Sequence, residues 1–237
     1  MLNKDTQEVL KAYSSISNSC IIQPVTVFVD EYKQVISNVE LEKVDEKINE
    51  EIGIYDLSNF LNAISLVNEP EIEYDTESRI VKISNQNTEI EYLTSDPDIL
   101  GKDEIEKYKR VIESTIKAPS VLEFNLSKDT INQIKKAKGV FGDFDTVFLK
   151  NTNSTNSFIV EVGIWETFSA KHNTVKFKVE TDINNNQEFE VGIPIDSILK
   201  IPVTDYQCSV KYNEKRDEYR VTLQNGISKA VLAVKSH

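Results

Sequence analysis

Lys128, Lys135 and Lys136, together with Asn132, fall on one face of a predicted helix whose other face carries Thr130, Ile134 and Ala137, with Ile131 at the border. Lys4 and Lys11, seven residues apart, nearly superpose on an earlier helix over 4–16. Its opposite side gathers Thr6, Val9, Leu10, Tyr13 and Ile16. In a short third helix, Lys200 points away from Ile195, Ile198 and Leu199. The chemistry open to these residues is attraction of phosphate, because a lysine ammonium is a flexible, hydrated point charge that meets a polyanion without fixed geometry. The chain holds 39 acidic and 27 basic side chains, a net charge of -12. As a whole it is repelled by DNA and by anionic membrane, so any contact with nucleic acid must be local. One such helix alone reads as a solvated face. Four helices whose polar faces lack clustered acid, three of them bearing lysine, point to a shared functional surface.

Other chemistry finds little support. No Ser, His and Asp, and no Cys and His, stand in a recognisable local signature, and the seven glycines form no phosphate-binding loop. Asp182, Asn184, Asn186 and Glu188 briefly resemble a calcium loop, but Gln187 stands where glycine is needed and Ile193 where the bidentate glutamate belongs. Cys20 and Cys208 are far apart without metal-ligand spacing, and His172 and His237 are the only histidines. The expectation is a reduced, intracellular, unprocessed protein with no cofactor and no metal. The amino terminus offers no apolar stretch of a signal peptide, and no run approaches the roughly 18 apolar residues of a membrane span.

The helices that hold the lysines sit in a repeated frame. The stretch from Gly53 to Asn68 places Leu57, Phe60, Leu61, Ile64 and Val67 on one helical stripe, with Asp56 as N-cap and Asn68 and Pro70 as the stop. Its polar face, Ser58, Asn59, Asn62 and Ser65, carries no charge in a chain that is 28% charged. Strand patterns run over 20–29, 35–42 and 48–54 before this helix, and over 71–74, 79–84 and 88–93 after it. Asp96-Pro97-Asp98 breaks the pattern, and 101–118 reads as a highly charged connector, closed by Pro119. Then the layout repeats. Leu126-Ser127-Lys128-Asp129-Thr130 echoes Leu2-Asn3-Lys4-Asp5-Thr6 at an offset of 124, and Ile195, Ile198 and Leu199 match Leu57, Phe60 and Leu61 at an offset of 138. Strands at 121–125, 144–150, 158–165, 174–181, 188–193, 206–212, 219–223 and 227–234 complete the second half. An internal duplication explains this order: a domain over 1–100, a connector over 101–118 and a second domain over 119–237, all α+β.

At these residues the chain resembles the sliding clamps, or DNA polymerase processivity factors, of T-even-like bacteriophages. The resemblance is carried by Ile54-Tyr55-Asp56-Leu57-Ser58-Asn59-Phe60-Leu61 with Ile64-Ser65-Leu66-Val67-Asn68, and by the start Leu2-Asn3-Lys4-Asp5-Thr6 with Leu10-Lys11. It covers the whole chain in layout and about a quarter of it in sequence. It implies two pseudo-repeated clamp domains, each with two helices packed on antiparallel sheets, and a homotrimeric ring around double-stranded DNA. It further implies a non-enzymatic role in tethering the DNA polymerase, loading by an ATP-dependent clamp loader, a place in the cytoplasm of the infected bacterial host, and service in late transcription. The DNA-facing residues expected are Lys4, Lys11, Lys128, Lys135, Lys136 and Lys200. The charged connector departs from the proline-rich one of that family. The polymerase is expected to bring a short carboxy-terminal peptide to an apolar pocket near the interdomain junction or the second-half sheet. The competing expectation is a β-rich virion structural or interaction protein whose lysines are merely solvated.

Overall fold

The computed structural model describes residues 2–151, 157–165, 173–180 and 189–236; the calcium-like stretch at 182–188, His172 and His237 lie outside them. The chain falls into two compact units, Met1–Glu31 with Ser37–Val111, and Tyr32–Ile36 with Ile112–His237.

The first unit opens with α1 (Lys4–Tyr13), capped by Asn3, whose Oδ1 accepts the Thr6 N–H at 2.8 Å. The helix stops at Tyr13, short of the expected end, and Ile16 follows in a turn that still buries it. The single strand expected over 20–29 is two, β1 (Cys20–Ile22) and β2 (Val25–Val29). Pro24 has no N–H to give a ladder, and the Thr26 hydroxyl closes the break by bonding both the N–H and the C=O of Gln23. β3 (Val35–Glu40) gives way to a 3-10 turn over Leu41–Lys43, and of 48–54 only β4 (Ile52–Ile54) is strand. α2 (Leu57–Ser65) follows, capped by Asp56 as expected. Past it, the left-handed residue is Glu69, φ 48°, rather than Asn68. A three-stranded antiparallel sheet closes the unit: β5 (Glu71–Asp75), β6 (Ile80–Ser84) and β7 (Glu89–Leu93). Leu57, Phe60, Ile64 and Val67 are buried as their spacing requires. Phe60 meets Tyr92 edge-on at 5.0 Å, and Tyr13 of α1 stacks on Phe28 of β2 at 5.5 Å.

The charged stretch is helical. α3 (Lys102–Lys117) buries Ile105 and Ile112 under otherwise polar turns, and its first residue pairs with Glu51.

The second unit repeats the plan. β8 (Ser120–Leu126) leads into α4 (Lys128–Val140), capped by Ser127. β9 (Thr146–Asn151), β10 (Ser157–Gly163), β11 (Val175–Glu180) and β12 (Phe189–Pro194) precede α5 (Ile195–Lys200). Then come β13 (Tyr206–Asn213), β14 (Glu218–Gln224), β15 (Ser228–Ala233) and the short β16 (Lys235–Ser236). One antiparallel sheet runs β11-β10-β9-β12-β16, and in another β8, β13, β14 and β15 lie side by side. Val147, Leu149, Val160, Val162, Val191 and Ile193 supply the core under α4 and α5. Ile131, expected at the border of α4, is fully buried.

The repeat is visible in hydrogen bonds that no sequence offset could reveal. The first N–H of α2, on Leu57, donates to the C=O of Asn18 at 2.7 Å; the first N–H of α5, on Ile195, donates to the C=O of Asp145 at 2.8 Å. Each acceptor sits just ahead of the strand that pairs with the one leading into the helix: β1 with β4, and β9 with β12. The starts of the first helices correspond too. A distant aspartate accepts a backbone N–H there, Asp45 from Asn3 and Asp205 from Lys128.

Gly53 of β4 is crowded by backbone. A Cβ there would lie 2.3 Å from the carbonyl oxygen of Ser95, the residue whose N–H donates to Gly53 C=O at 2.8 Å. Backbone cannot retreat as a side chain can, so Gly53→Ala is expected to lower unfolding free energy by about 1–3 kcal/mol. Gly226→Ala, which meets nothing within 4 Å, is expected to stay within about 0.5 kcal/mol of wild type. Urea unfolding of the two variants measures the difference.

Candidate nucleic-acid interface

Two helix pairs, α1 with α2 and α4 with α5, each pack side by side within their unit. Their outer faces are built by opposite means. On α2 the exposed residues are Ser58, Asn59, Asn62 and Ser65. The helix is positioned by Asn18, which accepts the Ser58 N–H and hydroxyl on its Oδ1 at 2.9 and 2.7 Å and donates from its amide to Asp56 at 3.0 Å. The Asn59 N–H on the Asp56 carboxylate, followed by this Asn18 bond, holds the carboxyl below its usual range. Nothing in the spacing singled out Asn18; it lies in a loop and acts across 40 positions of sequence.

Between α1 and α2 runs a groove of about 350 Å³ lined by Lys4, Gln7, Glu8, Lys11, Ser14, Ser58, Leu61, Asn62 and Ser65. The structure thus brings Lys4 and Lys11 to the neutral hydroxyls and amides of α2. It also explains Leu61, the only member of the α2 stripe before Val67 that is not fully buried: it forms part of the groove wall.

On α4, Lys128 and Lys136 are exposed. Lys135 is not. Its Nζ donates to Leu199 C=O at 3.0 Å and to Ile201 C=O at 3.1 Å, satisfying carbonyls at the end of α5 that the helix itself leaves unpaired, and burial lowers its pKa. Its helical spacing put it with Lys128 and Lys136; its length lets it reach back to the neighbouring helix. Lys138, absent from the expected set, does the same work for the loop after α4, donating to Gly142 C=O at 2.8 Å and Phe144 C=O at 2.7 Å. Lys200, at the end of α5, lies over the Tyr32 ring with Nζ 5.9 Å from its centre. Together the four helices carry seven lysines against four carboxylates, Asp5, Glu8, Asp129 and Asp196, inside a chain of net charge -12.

The remaining reactive groups are shut away. Cys20 and Cys208 are buried free thiols; burial pushes Cys20 up to about 12 and raises Cys208 as well, so neither is a thiolate nucleophile near neutral pH. Among the described residues no cluster of three or more His, Cys, Asp or Glu could hold a metal ion. No helix among them is long and apolar enough to cross a membrane. The second unit also has an open concavity of mixed character at the ends of β8, β13 and β14, lined by Asn125, Leu126, Ser127, Asp205, Tyr206, Gln207 and Gln224 among others.

Paired helices over antiparallel sheets, given twice, are the architecture of the DNA sliding clamps. Proliferating cellular nuclear antigen of Entamoeba histolytica superposes with a TM-score of 0.64 at 12% identity, over 97% of this chain and 94% of that one. The Helicobacter pylori beta clamp, solved bound to a DNA ligase peptide, superposes with a TM-score of 0.59 at 9% identity, over 97% of this chain; the match spans 64% of the bacterial chain. The resemblance read in the sequence is borne out in a virus: the sliding clamp of Vibrio phage KVP40 is 22% identical over 216 residues, 88% of this chain and 89% of the phage protein. No family model matches the chain.

The geometry separates two lysines that look alike in sequence. Lys135→Met removes a charged donor from two carbonyls and is expected to cost about 1.5–3 kcal/mol, whereas Lys136→Met is expected to change stability by about 0.5 kcal/mol or less. Thermal or urea unfolding of each variant measures this.

Proposed function

We propose that this protein is a phage sliding clamp: a non-enzymatic ring that encloses duplex DNA and tethers the replicative DNA polymerase in the cytoplasm of the infected host. One observation carries the reading. On the helices that pack in pairs within each unit, taken together, lysine outnumbers acid, while the chain as a whole is strongly acidic. A ring that holds DNA by topology needs little affinity. Its acidic exterior discourages binding in any place but the hole, and lysines that meet phosphate without reading bases let the duplex slide. Lys4, Lys11, Lys128, Lys136 and Lys200 are the proposed DNA-facing set. Lys135 supports it from behind by fastening α5. Residues 1–100 and 119–237 are the proposed clamp domains and 101–118 their connector. A clamp loader that opens the ring, a polymerase that binds through a short carboxy-terminal peptide, and a role in late transcription complete the proposal on the strength of the phage resemblance.

Three copies give six pseudo-equivalent domains, and edge strands offer the means of closure. Among the described residues β7 pairs only with β6, and β11 only with β10. β7 exposes Glu89, Glu91 and Leu93 along its edge; β11 exposes Lys176 and Lys178. Head-to-tail pairing of one copy's β7 with the next copy's β11 sets these charges in opposition and covers two edges that would otherwise recruit other chains.

Light scattering is expected to return a trimer of about 81 kDa, three chains of 27.0 kDa. Glu91→Lys or Lys178→Glu alone should shift the particle toward monomer, and the two together should restore the trimer. A persistent 27.0 kDa wild-type species that also fails to stimulate its polymerase would remove the ring.

Lys128→Glu with Lys136→Glu reverses two exposed charges per chain without touching the carbonyls held by Lys135. The trimer is expected to survive with stability changed by about 0.5 kcal/mol per site or less. Loading onto primed DNA and processive synthesis should fall, most at low salt, where phosphate is least screened. Wild-type processivity from a normal trimer of this variant would withdraw α4 from the DNA face.

A further inference from the structure

The two edge strands proposed to close the ring are built alike. Each alternates an exposed residue with a half-buried apolar one: Glu89, Glu91 and Leu93 outward on β7 with Ile90 and Tyr92 inward, and Lys176 and Lys178 outward on β11 with Val175, Phe177 and Val179 inward. One strand further in, on the same inner faces, Val81 and Ile83 of β6 and Val160 and Val162 of β10 are fully buried. Ile90, Tyr92, Val175 and Phe177 thus keep apolar surface in water that one more strand beside each edge covers. The outward charges are not equivalent. Lys82 meets Glu89 at 3.1 Å and Glu161 meets Lys176 at 3.3 Å, whereas among the described residues Glu91 and Lys178 have no ion-pair partner.

We propose that the joint between copies has one antiparallel register, with Tyr92 of one copy opposite Phe177 of the next on the inner face and Glu91 opposite Lys178 on the outer face. The inference rests on the clamp reading and deepens it. Residues directly opposite in an antiparallel pair share a face, so the odd-numbered outward residues of β7 must meet the even-numbered ones of β11; a slip of one turns the charges to the core. Every pairing within the two sheets is antiparallel, and the joint continues that pattern. Few registers remain. The proposed one lays Leu93, 74% exposed, along the aliphatic stem of Lys176, whose ammonium Glu161 already holds. It adds Phe177 to the edge-on contact of Tyr92 with Phe60, and so ties the joint to α2, where the Tyr92 hydroxyl donates to Asp56 C=O at 3.2 Å. A shift of two residues sets Glu89 against Lys178 and Glu91 against Lys176, but it draws on two charges already met within the chain and leaves Leu93 opposite Thr174. In the proposed ladder the acid at position 180 falls at the end, opposite Glu89, whose charge Lys82 neutralises. The joint is held mainly by apolar cover, and its one new ion pair fixes the register.

The test is disulfide cross-linking of the full-length protein, whose native Cys20 and Cys208 are buried. Glu91→Cys with Lys178→Cys, and Leu93→Cys with Lys176→Cys, are each expected to give covalent dimers and trimers on mild oxidation, because directly opposite residues bring their Cα atoms within disulfide range. Glu89→Cys with Lys178→Cys is expected to stay largely unlinked. Light scattering over a dilution series gives an independent reading. Phe177→Ala should weaken association by about 30-fold or more, and Lys178→Gln by about fivefold or less. If wild type is a trimer but Glu89→Cys with Lys178→Cys links in preference, or no pair links, the register is overturned and the ring stands. If Lys178→Gln weakens association more than Phe177→Ala, the apolar joint is overturned. A wild-type monomer in which no pair links removes the ring itself.

Discussion

The carbonyl groups of Asn18 and Asp145 each receive the first N–H of a helix, and that bond places the helix pair in its unit. Helix N-termini leave backbone donors without partners inside the helix. Here one of them is satisfied by the residue that leads into a β-strand, so helix and sheet are fixed to each other at a single point rather than by packing alone. The buried stripes, Leu57, Phe60 and Ile64 on α2 and Ile195 and Ile198 on α5, then set the rotation of each helix. Once that rotation is set, the direction of every polar residue on the outer face follows.

The two units reach the same arrangement with different side chains. Around α2 the device has no cation: Asn18 braces Ser58 and the Asp56 carboxylate through amide and hydroxyl hydrogen bonds alone. Around α5, a helix of six residues, it is cationic. So short a helix has few internal bonds and many free carbonyls, and Lys135 supplies from α4 what α5 cannot supply for itself. The positive charge of the second helix pair is therefore partly structural in origin, and it still contributes to the field a phosphate would meet. Buried lysines recur for the same reason elsewhere in the unit. Lys211 lies under the start of β8, donating to Ala118 C=O and the Ser120 hydroxyl, and burial lowers its pKa.

In the proposed clamp, weak, sequence-blind contact would suit sliding because the outer faces of the helices mix cations with short neutral side chains. Ser and Asn on α2 can meet phosphate oxygens, yet each such bond replaces one to water and contributes little net. On the sheet of β9 to β12 the charges pair with each other. Lys150 lies between Glu161 and Glu190, and Lys176 also reaches Glu161, so charges on that surface are largely spent on each other.

Much of this was legible in the sequence, where one rule of spacing or chemistry acts alone. The 3.6-residue period was enough to find α1, α2, α4 and α5, because a stripe that must be buried admits little choice of rotation. Asp56 was readable as a cap since its role is completed within three residues, and the offsets of 124 and 138 exposed the duplication. Strand limits were less legible. Pro24 split one predicted strand, and the run over 48–54 yielded only three residues of ladder, because a strand exists where a partner lies beside it and alternation does not name the partner. Whether the charged stretch before Pro119 was a coil or the helix α3 depended on something for Ile105 and Ile112 to cover. The site divides in the same manner. Composition and periodicity picked out lysines on helix faces, but could not distinguish Lys136, pointing to solvent, from Lys135, pointing at the carbonyls of a helix 64 residues away. Asn18 and Lys138 were invisible for the same physical reason: each acts on groups, the start of α2 or the carbonyls of the loop after α4, that only the folded chain brings within reach.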